Sequence, residues 1–205
     1  MTLATPTEVP LLLPPELRLS PEQFALVCQA NPNAVLELSA SGHLISMPPT
    51  GGDTSARNSA LIFALQAYAR SSGCWKVFDS SGGFRLPDGS VLSPDASLVS
   101  MERWRALSPE QRRGFPPLCP DLVVELAGSS DQGPRGISAL RRKMAAYIRN
   151  GAQLGWLLLP EQQTVEIWRA AHSSNEPERL QQARQLEAGP LLPGLLINLT
   201  EIWEA

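Results

Sequence analysis

The sequence predicts a single α/β domain, and three observations carry that expectation. Residues Pro120–Pro160 hold two short apolar runs, Leu122–Leu126 and Leu154–Leu159, on either side of an amphipathic helical stretch. Strand, helix and strand of these lengths form a βαβ unit with parallel strands. A second helical period covers Thr54–Arg70, and strand-like runs flank both helices. The composition agrees: 205 residues, 43% hydrophobic and 18% charged, suit one domain with a real core.

Taken in order, residues 1–19 carry Pro6, Pro10, Pro14 and Pro15 without any period, which predicts an extended N-terminal arm ahead of a domain spanning 20–205. Ser20, with Pro21 next and Gln23 three on, is a capping box that opens a helix through Cys28. Ala34–Leu38 and His43–Met47 form a hairpin through Ser41-Gly42. After a turn at Pro48–Gly52, the Thr54–Arg70 helix shows an apolar stripe of Leu61, Ile62, Leu65 and Tyr68, with Gly73 beyond its end. Strands are expected at Trp75–Phe78, Gly83–Leu86 and Val91–Val99, with Asp88-Gly89 as a tight turn.

Met101–Arg113 is helical, with a second capping signal from Ser108 to Gln111. In the central unit the helix covers Ile137–Asn150. Beyond it, Val165–Arg169 alternates as a strand, His172–Arg179 is a polar loop, Pro193-Gly194 a turn, and Leu199–Trp203 a terminal helix.

Composition also excludes classes of function. No apolar run is long enough to cross a membrane, and the N-terminus lacks a secretory pattern. Cys28, Cys74 and Cys119 are odd in number and far apart, which fits free thiols in a reducing cytoplasm rather than a disulfide frame or a cysteine zinc site. The net charge of −3 argues against a non-specific coat on nucleic acid. It leaves room for a local basic surface at Arg135, Arg141, Arg142, Lys143 and Arg149, although a charge run on a helix is also an ordinary solvated face.

Two acids stand where acids are costly. Glu125 interrupts a run that should be buried, and Asp95 sits inside Val91–Val99. Both belong to strands of one expected sheet, so their carboxylates can converge at its edge. Paired carboxylates repel unless a cation lies between them, and oxygen ligands suit Mg²⁺ or Mn²⁺. A nearby lysine would orient a metal-bound water and stabilise charge growing on a phosphate. Lys143 is the candidate. With Tyr147 it falls on the rim of the face formed by Ile137, Leu140, Met144 and Ile148, while Arg142 and Arg149 point away. From spacing alone, a Lys143 that snorkels to solvent is the plainer reading. His43 and His172 have no nucleophile-elbow context, and the glycine-containing stretches match no phosphate-binding loop.

Ser93-Pro94-Asp95-Ala96, Cys119 through Leu126, Lys143-Met144 with Tyr147, Asn150-Gly151 and Gly155-Trp156-Leu157 resemble the Uma family, described as putative restriction endonucleases, within the PD-(D/E)xK nuclease superfamily. Leu36-Glu37-Leu38, Met47 through Gly52 and Arg57-Asn58 resemble its pattern upstream, so the likeness spans roughly Ser20–Trp203. The resemblance implies a restriction-endonuclease-like core, a central mixed sheet flanked by helices. It implies that Asp95 and Glu125 are metal ligands, with the Leu126 carbonyl as a third. The superfamily lysine stands two residues after the acid, where this chain has Ala127; a helix lysine replaces it in many relatives, which maps onto Lys143. Glu37 matches an acidic position that completes such sites, or else is a surface glutamate on an edge strand. Ala127-Gly128-Ser129-Ser130 is smaller and less charged than the family pattern.

Two functions stay open: a metal-dependent endonuclease acting on DNA, or a catalytically eroded module of the same fold that binds nucleic acid or a protein partner. Cutting a duplex takes two sites or a reorientation, so a homodimer is expected, with the apolar segment Leu191–Trp203 as its interface or as part of the chain's own core.

Overall fold

A computed structural model of the chain describes residues 14, 16–47, 49–131, 133–170 and 176–204. The elements run α1 (Pro21–Ala30), β1 (Val35–Leu38), β2 (Leu44–Met47), α2 (Gly52–Ser72), β3 (Trp75–Asp79), β4 (Phe84–Arg85), β5 (Val91–Leu92) and β6 (Ala96–Ser100). Then come α3 (Met101–Ala106), α4 (Pro109–Arg113), β7 (Leu122–Leu126), α5 (Pro134–Arg149), β8 (Leu154–Leu159), β9 (Thr164–Arg169), β10 (Glu178–Gln181), β11 (Gln185–Glu187), β12 (Leu196–Asn198) and α6 (Thr200–Trp203).

The central sheet has six strands in the order β10-β9-β8-β7-β6-β3. The β7–β8 pair is parallel and every other pair antiparallel, so the sheet is mixed, as expected. The parallel pair follows from the βαβ crossover through α5. Alternation along β7 divides its side chains between two cores. Val124 and Leu126 meet Leu61 and Leu65 of α2, while Val123 meets Met144 and Tyr147 of α5. A smaller antiparallel sheet, β2-β1-β5-β4, stands apart from the central one.

Local signals explain most boundaries. Ser20 and Ser108 both close capping boxes, with Gln23 and Gln111. Gly73 ends α2 at φ 67°, a conformation that favours glycine.

The structure corrects several expectations. Val91–Val99 is not one strand: Val91–Leu92 pair in the small sheet and Ala96–Ser100 in the central one. Pro94, with no N–H to give a ladder, lies where the chain crosses between them. Met101–Arg113 is two helices, because Leu107 is extended and Ser108 starts a second capped helix. Of the His172–Arg179 loop, residues 171–175 lie outside the described residues, and Glu178 and Arg179 belong to β10. Residues 1–13 of the predicted arm also lie outside them; Leu19 is tied to the hairpin through its N–H to the Gly42 carbonyl at 2.8 Å. The C-terminal segment packs inward: Leu192, Leu195, Ile197, Leu199 and Ile202 are all buried in the α2-side core. That burial leaves Leu191–Trp203 little apolar surface for an interface, with Leu196 its exposed large side chain among the described residues.

The alternation expected of β9 is absent, since Thr164–Ile167 are all buried. Glu166, fully buried, is gripped by the Arg141 guanidinium, whose Nε lies 2.9 Å from Oε2, and by Arg179 at 3.3 Å. Arg141 is therefore not part of a free basic surface. Arg141→Met should leave a buried carboxylate half-compensated and cost about 3 kcal/mol. Urea denaturation checks this: the Arg141→Met, Glu166→Leu pair should regain most of the loss, and an additive loss would mean that the two do not couple.

Candidate active site

Glu125 is the fourth residue of β7 and shares the α5 face with Val123. Lys143 and Tyr147, one turn apart on α5, both point at it. Lys143 Nζ lies 2.9 Å from Glu125 Oε1, and the Tyr147 hydroxyl donates to that same oxygen at 3.1 Å. Glu37 reaches in from β1 of the small sheet, its Oε1 2.8 Å from Lys143 Nζ. The Ser93 N–H donates to Glu37 Oε1 at 2.7 Å, and the Ser93 carbonyl accepts from Lys143 at 3.0 Å. An ammonium has three protons, and here all three have an acceptor.

Asp95 enters from the crossing between the sheets. Ala96 pairs with Val124, so in antiparallel register Asp95 stands opposite Glu125. Its Oδ2 accepts the Leu126 N–H at 2.7 Å. In a strand a residue's N–H and carbonyl leave on the same edge, so the Leu126 carbonyl also faces Asp95. Each acid thus has one oxygen tied to the chain, and its other oxygen takes no hydrogen bond from the described residues.

Three carboxylates surround one ammonium in a dry setting, and the charges do not balance. Burial pushes the Glu125 carboxyl up to about 8; Asp95 and Glu37 add to the rise and Lys143 opposes it. Burial also raises Asp95, against the Leu126 N–H and Lys143. Lys143 is held above its ordinary value: burial disfavours its charge, but Glu125 and Glu37 outweigh that. It stays protonated. Burial beside Glu125 likewise lifts the Tyr147 hydroxyl well above its usual value, so it remains a donor.

The structure brings Asp95, Glu125, Lys143, Glu37 and the Leu126 backbone together. Lys143 does not snorkel; its side chain is only 12% exposed. Tyr147 is not a rim residue but fully buried, and Glu37 is not on the surface but 3% exposed. Of the expected basic surface, Arg135, Arg142 and Arg149 are exposed, while Arg141 and Lys143 are consumed by acids. Sequence reasoning missed two members, the Ser93 backbone and Asp131. Asp131 accepts the Gly128 N–H at 3.0 Å and adds negative charge near Asp95. Backbone roles leave no side-chain signal, and Asp131 was hidden in a glycine-rich loop. Among the described residues, no group of three or more His, Cys, Asp or Glu is arranged to hold a metal by itself. Any ion here would be held by two carboxylates, a carbonyl, and water or substrate.

The family model Uma2, putative restriction endonuclease, matches residues 21–200. The crystal structure of a putative nuclease belonging to DUF820 from Anabaena variabilis superposes with a TM-score of 0.70 at 19% identity, over 91% of this chain and 98% of that one. At that identity the likeness speaks to the fold. No curated protein matches the chain.

The Glu125 shift has a consequence for stability. Between the ordinary value of 4.5 and about 8, the folded chain keeps a proton that the unfolded chain has lost, so stability falls as pH rises through that window. Glu125→Gln keeps an acceptor for Lys143 and Tyr147 but has nothing to titrate. In metal-free buffer its melting temperature should fall less than the parent's across the window. Parallel pH profiles would show that Glu125 does not hold that proton.

Proposed function

Since the chain belongs to the Uma2 family of putative restriction endonucleases, we propose that it is a metal-dependent endonuclease hydrolysing phosphodiester bonds of DNA. The observation that supports this reading is Lys143, enclosed by Glu37 and Glu125 at 2.8 and 2.9 Å beside a third carboxylate at the end of the central sheet. A structural ion pair needs one acid. Here there are three, and burial and mutual repulsion hold Asp95 and Glu125 above their ordinary range.

The donor set fits Mg²⁺ or Mn²⁺. The unengaged oxygens of Asp95 and Glu125, with the Leu126 carbonyl, would hold the ion. Mg²⁺ needs only one or two carboxylates when waters and a phosphate complete its shell. When bound, such an ion polarises the scissile phosphate and lowers the pKa of its water. The chain's own residues then do three things. Tyr147 and Lys143 fix one Glu125 oxygen and orient the other. Glu37 and the Ser93 carbonyl hold the Lys143 ammonium at the site's inner wall. Lys143, permanently charged, would stabilise charge on the phosphate through its field, and would position water by exchanging one of its three present acceptors for it; it does not act as the base. Ala127, where the strand lysine would stand, carries no charge, so that work falls to the helix lysine.

The exposed Arg135, Arg142 and Arg149 would meet DNA phosphates, and the free thiols of Cys28, Cys74 and Cys119 fit a reducing cytoplasm. Among the described residues, no helix is long and apolar enough to cross a membrane. Cutting both strands of a duplex favours a two-fold homodimer, through a surface other than the buried C-terminal segment. One 22.2 kDa species by light scattering at micromolar concentration would exclude that assembly.

Calorimetric titration with Mn²⁺ tests the reading: the parent protein should bind, and Asp95→Ala should not. Asp95→Asn should abolish plasmid cleavage while leaving the melting temperature unchanged or raised, since it removes repulsion. A large fall would mark Asp95 as structural. Lys143→Met keeps the stem's packing, so Mn²⁺ should still bind while turnover drops by ~10²–10⁴-fold. Arg142→Met, exposed on the same helix, should chiefly weaken DNA binding at higher salt. If Lys143→Met cleaves at the parent rate, the proposed mechanism is wrong.

A further inference from the structure

A cleft of about 500 Å³ opens between α1, the β3–β4 turn and the α4–β7 connection. It lies at the end of the central sheet that carries the acids, because Asp79, the last residue of β3, pairs with Ala96 next to Asp95. Gly83 in its wall joins it to the site. A Cβ there would stand 3.3 Å from Ser93 Oγ and 2.9 Å from the Phe115 ring. Ser93 is the residue whose backbone holds both Glu37 and Lys143.

The lining is aromatic and cationic. Phe115 leans on Phe24 with centroids 5.5 Å apart, and Phe78 meets Phe84 edge-on at 5.1 Å, so both rings are braced where they border the cleft. Arg112 and Arg113 line it, and among the described residues no Asp or Glu does. Of the acids on the flanking elements, Asp79 accepts from the Ser81 N–H and hydroxyl and Glu22 pairs with Arg85 at 2.9 Å, while Glu110 stands one turn before Arg113 on α4. Arg112 is spent on the Arg105 carbonyl and the Trp104 ring, whereas Arg113 is exposed. A positive, aromatic-walled cleft on a chain of net charge −3 selects an anion with a flat, stackable part.

We propose that this cleft receives one unpaired nucleotide of the nucleic-acid strand beside the scissile phosphate, its base against Phe115 and Phe78 and its phosphate on Arg113. The assignment rests on the nuclease reading of the adjoining site. A base within a duplex has both faces covered by its neighbours and could not enter. The nucleotide must come from a single strand or be turned out of the helix.

Cys28 lines the cleft and serves as a reporter. In a Cys74→Ser background it is the accessible thiol, since Cys119 is buried. Maleimide labelling of Cys28 is followed in chelator, where no cleavage occurs, with saturating oligothymidylate, with a fully paired hairpin, and with the same hairpin carrying one mismatch. Oligothymidylate should slow labelling about tenfold, and the paired hairpin should not. Protection by the mismatched hairpin would identify a turned-out base, and protection by oligothymidylate alone a single-strand source. Failure of oligothymidylate to bind, unchanged labelling at saturation, or equal protection by the paired hairpin would overturn the proposal. Arg113→Ala should lower the slope of log affinity against log salt by about 0.7, as expected for one phosphate contact on a single strand; an unchanged slope also overturns it. Cleavage by the parent protein without Cys28 protection would leave the nuclease reading intact and remove the cleft. Protection in a protein that never cleaves would do the reverse.

Discussion

The site depends on one ammonium. Lys143 from α5 meets Glu125 from the central sheet, Glu37 from the small sheet and the Ser93 carbonyl from the strand crossing, all within 3.0 Å. Four separate pieces of chain are therefore tied at a single atom. The small sheet has its own apolar contacts, Leu38 and Val91 against Phe24. Its polar attachments to the rest of the fold include Glu37 to Lys143, beside the Arg85 N–H to the Pro116 carbonyl, the Arg85–Glu22 ion pair and the Asp88–Asn150 hydrogen bonds. An acid buried this deeply without a partner would be costly, so the lysine makes both the site and the docking of the sheet tolerable.

A comparison inside the molecule separates an acid with cations to itself from one that shares its cation. Glu166 on β9 is as buried as Glu125 on β7, and its cation comes from the same helix, two residues away. But Glu166 has two arginines to itself, whereas Glu125, Glu37 and Asp95 share a single lysine. Over-neutralised, Glu166 has nothing further to bind. The Lys143 cluster remains short of positive charge, which is the condition for a cation site and a destabilising one when no cation is bound. The same residue type on two strands of one sheet, with β8 between them, thus differs through its charge balance alone.

The legible part of the fold was the part set by local pattern. Capping boxes at Ser20 and Ser108 located helix starts, and the Leu122–Leu159 stretch disclosed the parallel pair because buried strands are continuously apolar. Glu125 was visible for the same reason, as a charge in such a run. Glu166 was not, because Val-Glu-Ile looks like ordinary alternation, and only the arrival of Arg141 and Arg179 makes its face an interior. Likewise Val91–Val99 reads as one strand apart from Pro94; the missing N–H there is a local sign of a break, but not that the two halves join different sheets. The short strands β11 and β12 carry too few residues for a period to register. Tyr147 was placed on the rim because a helical wheel knows one helix, while its burial comes from β7, β8 and the segment around Cys119 packed over it.

The position of the lysine has a structural cost and a structural gain. Ala127 follows the end of β7 and packs with Ile137 in the α5-side core. A lysine stem there would have to thread between strand end and helix. With the charge supplied from α5 instead, the chain after β7 can stay small and turn tightly. Gly128 is so close to α2 that a Cβ would lie 3.1 Å from Thr54 Oγ1, and Asp131 folds back onto the Gly128 N–H. Gly136 is closer still, since a Cβ there would lie 2.5 Å from the Asp131 carbonyl oxygen. The small, glycine-rich loop is thus the counterpart of a helix-borne lysine. The loop lets α5 begin close beneath the strand end, and that approach places Lys143 within reach of Glu125.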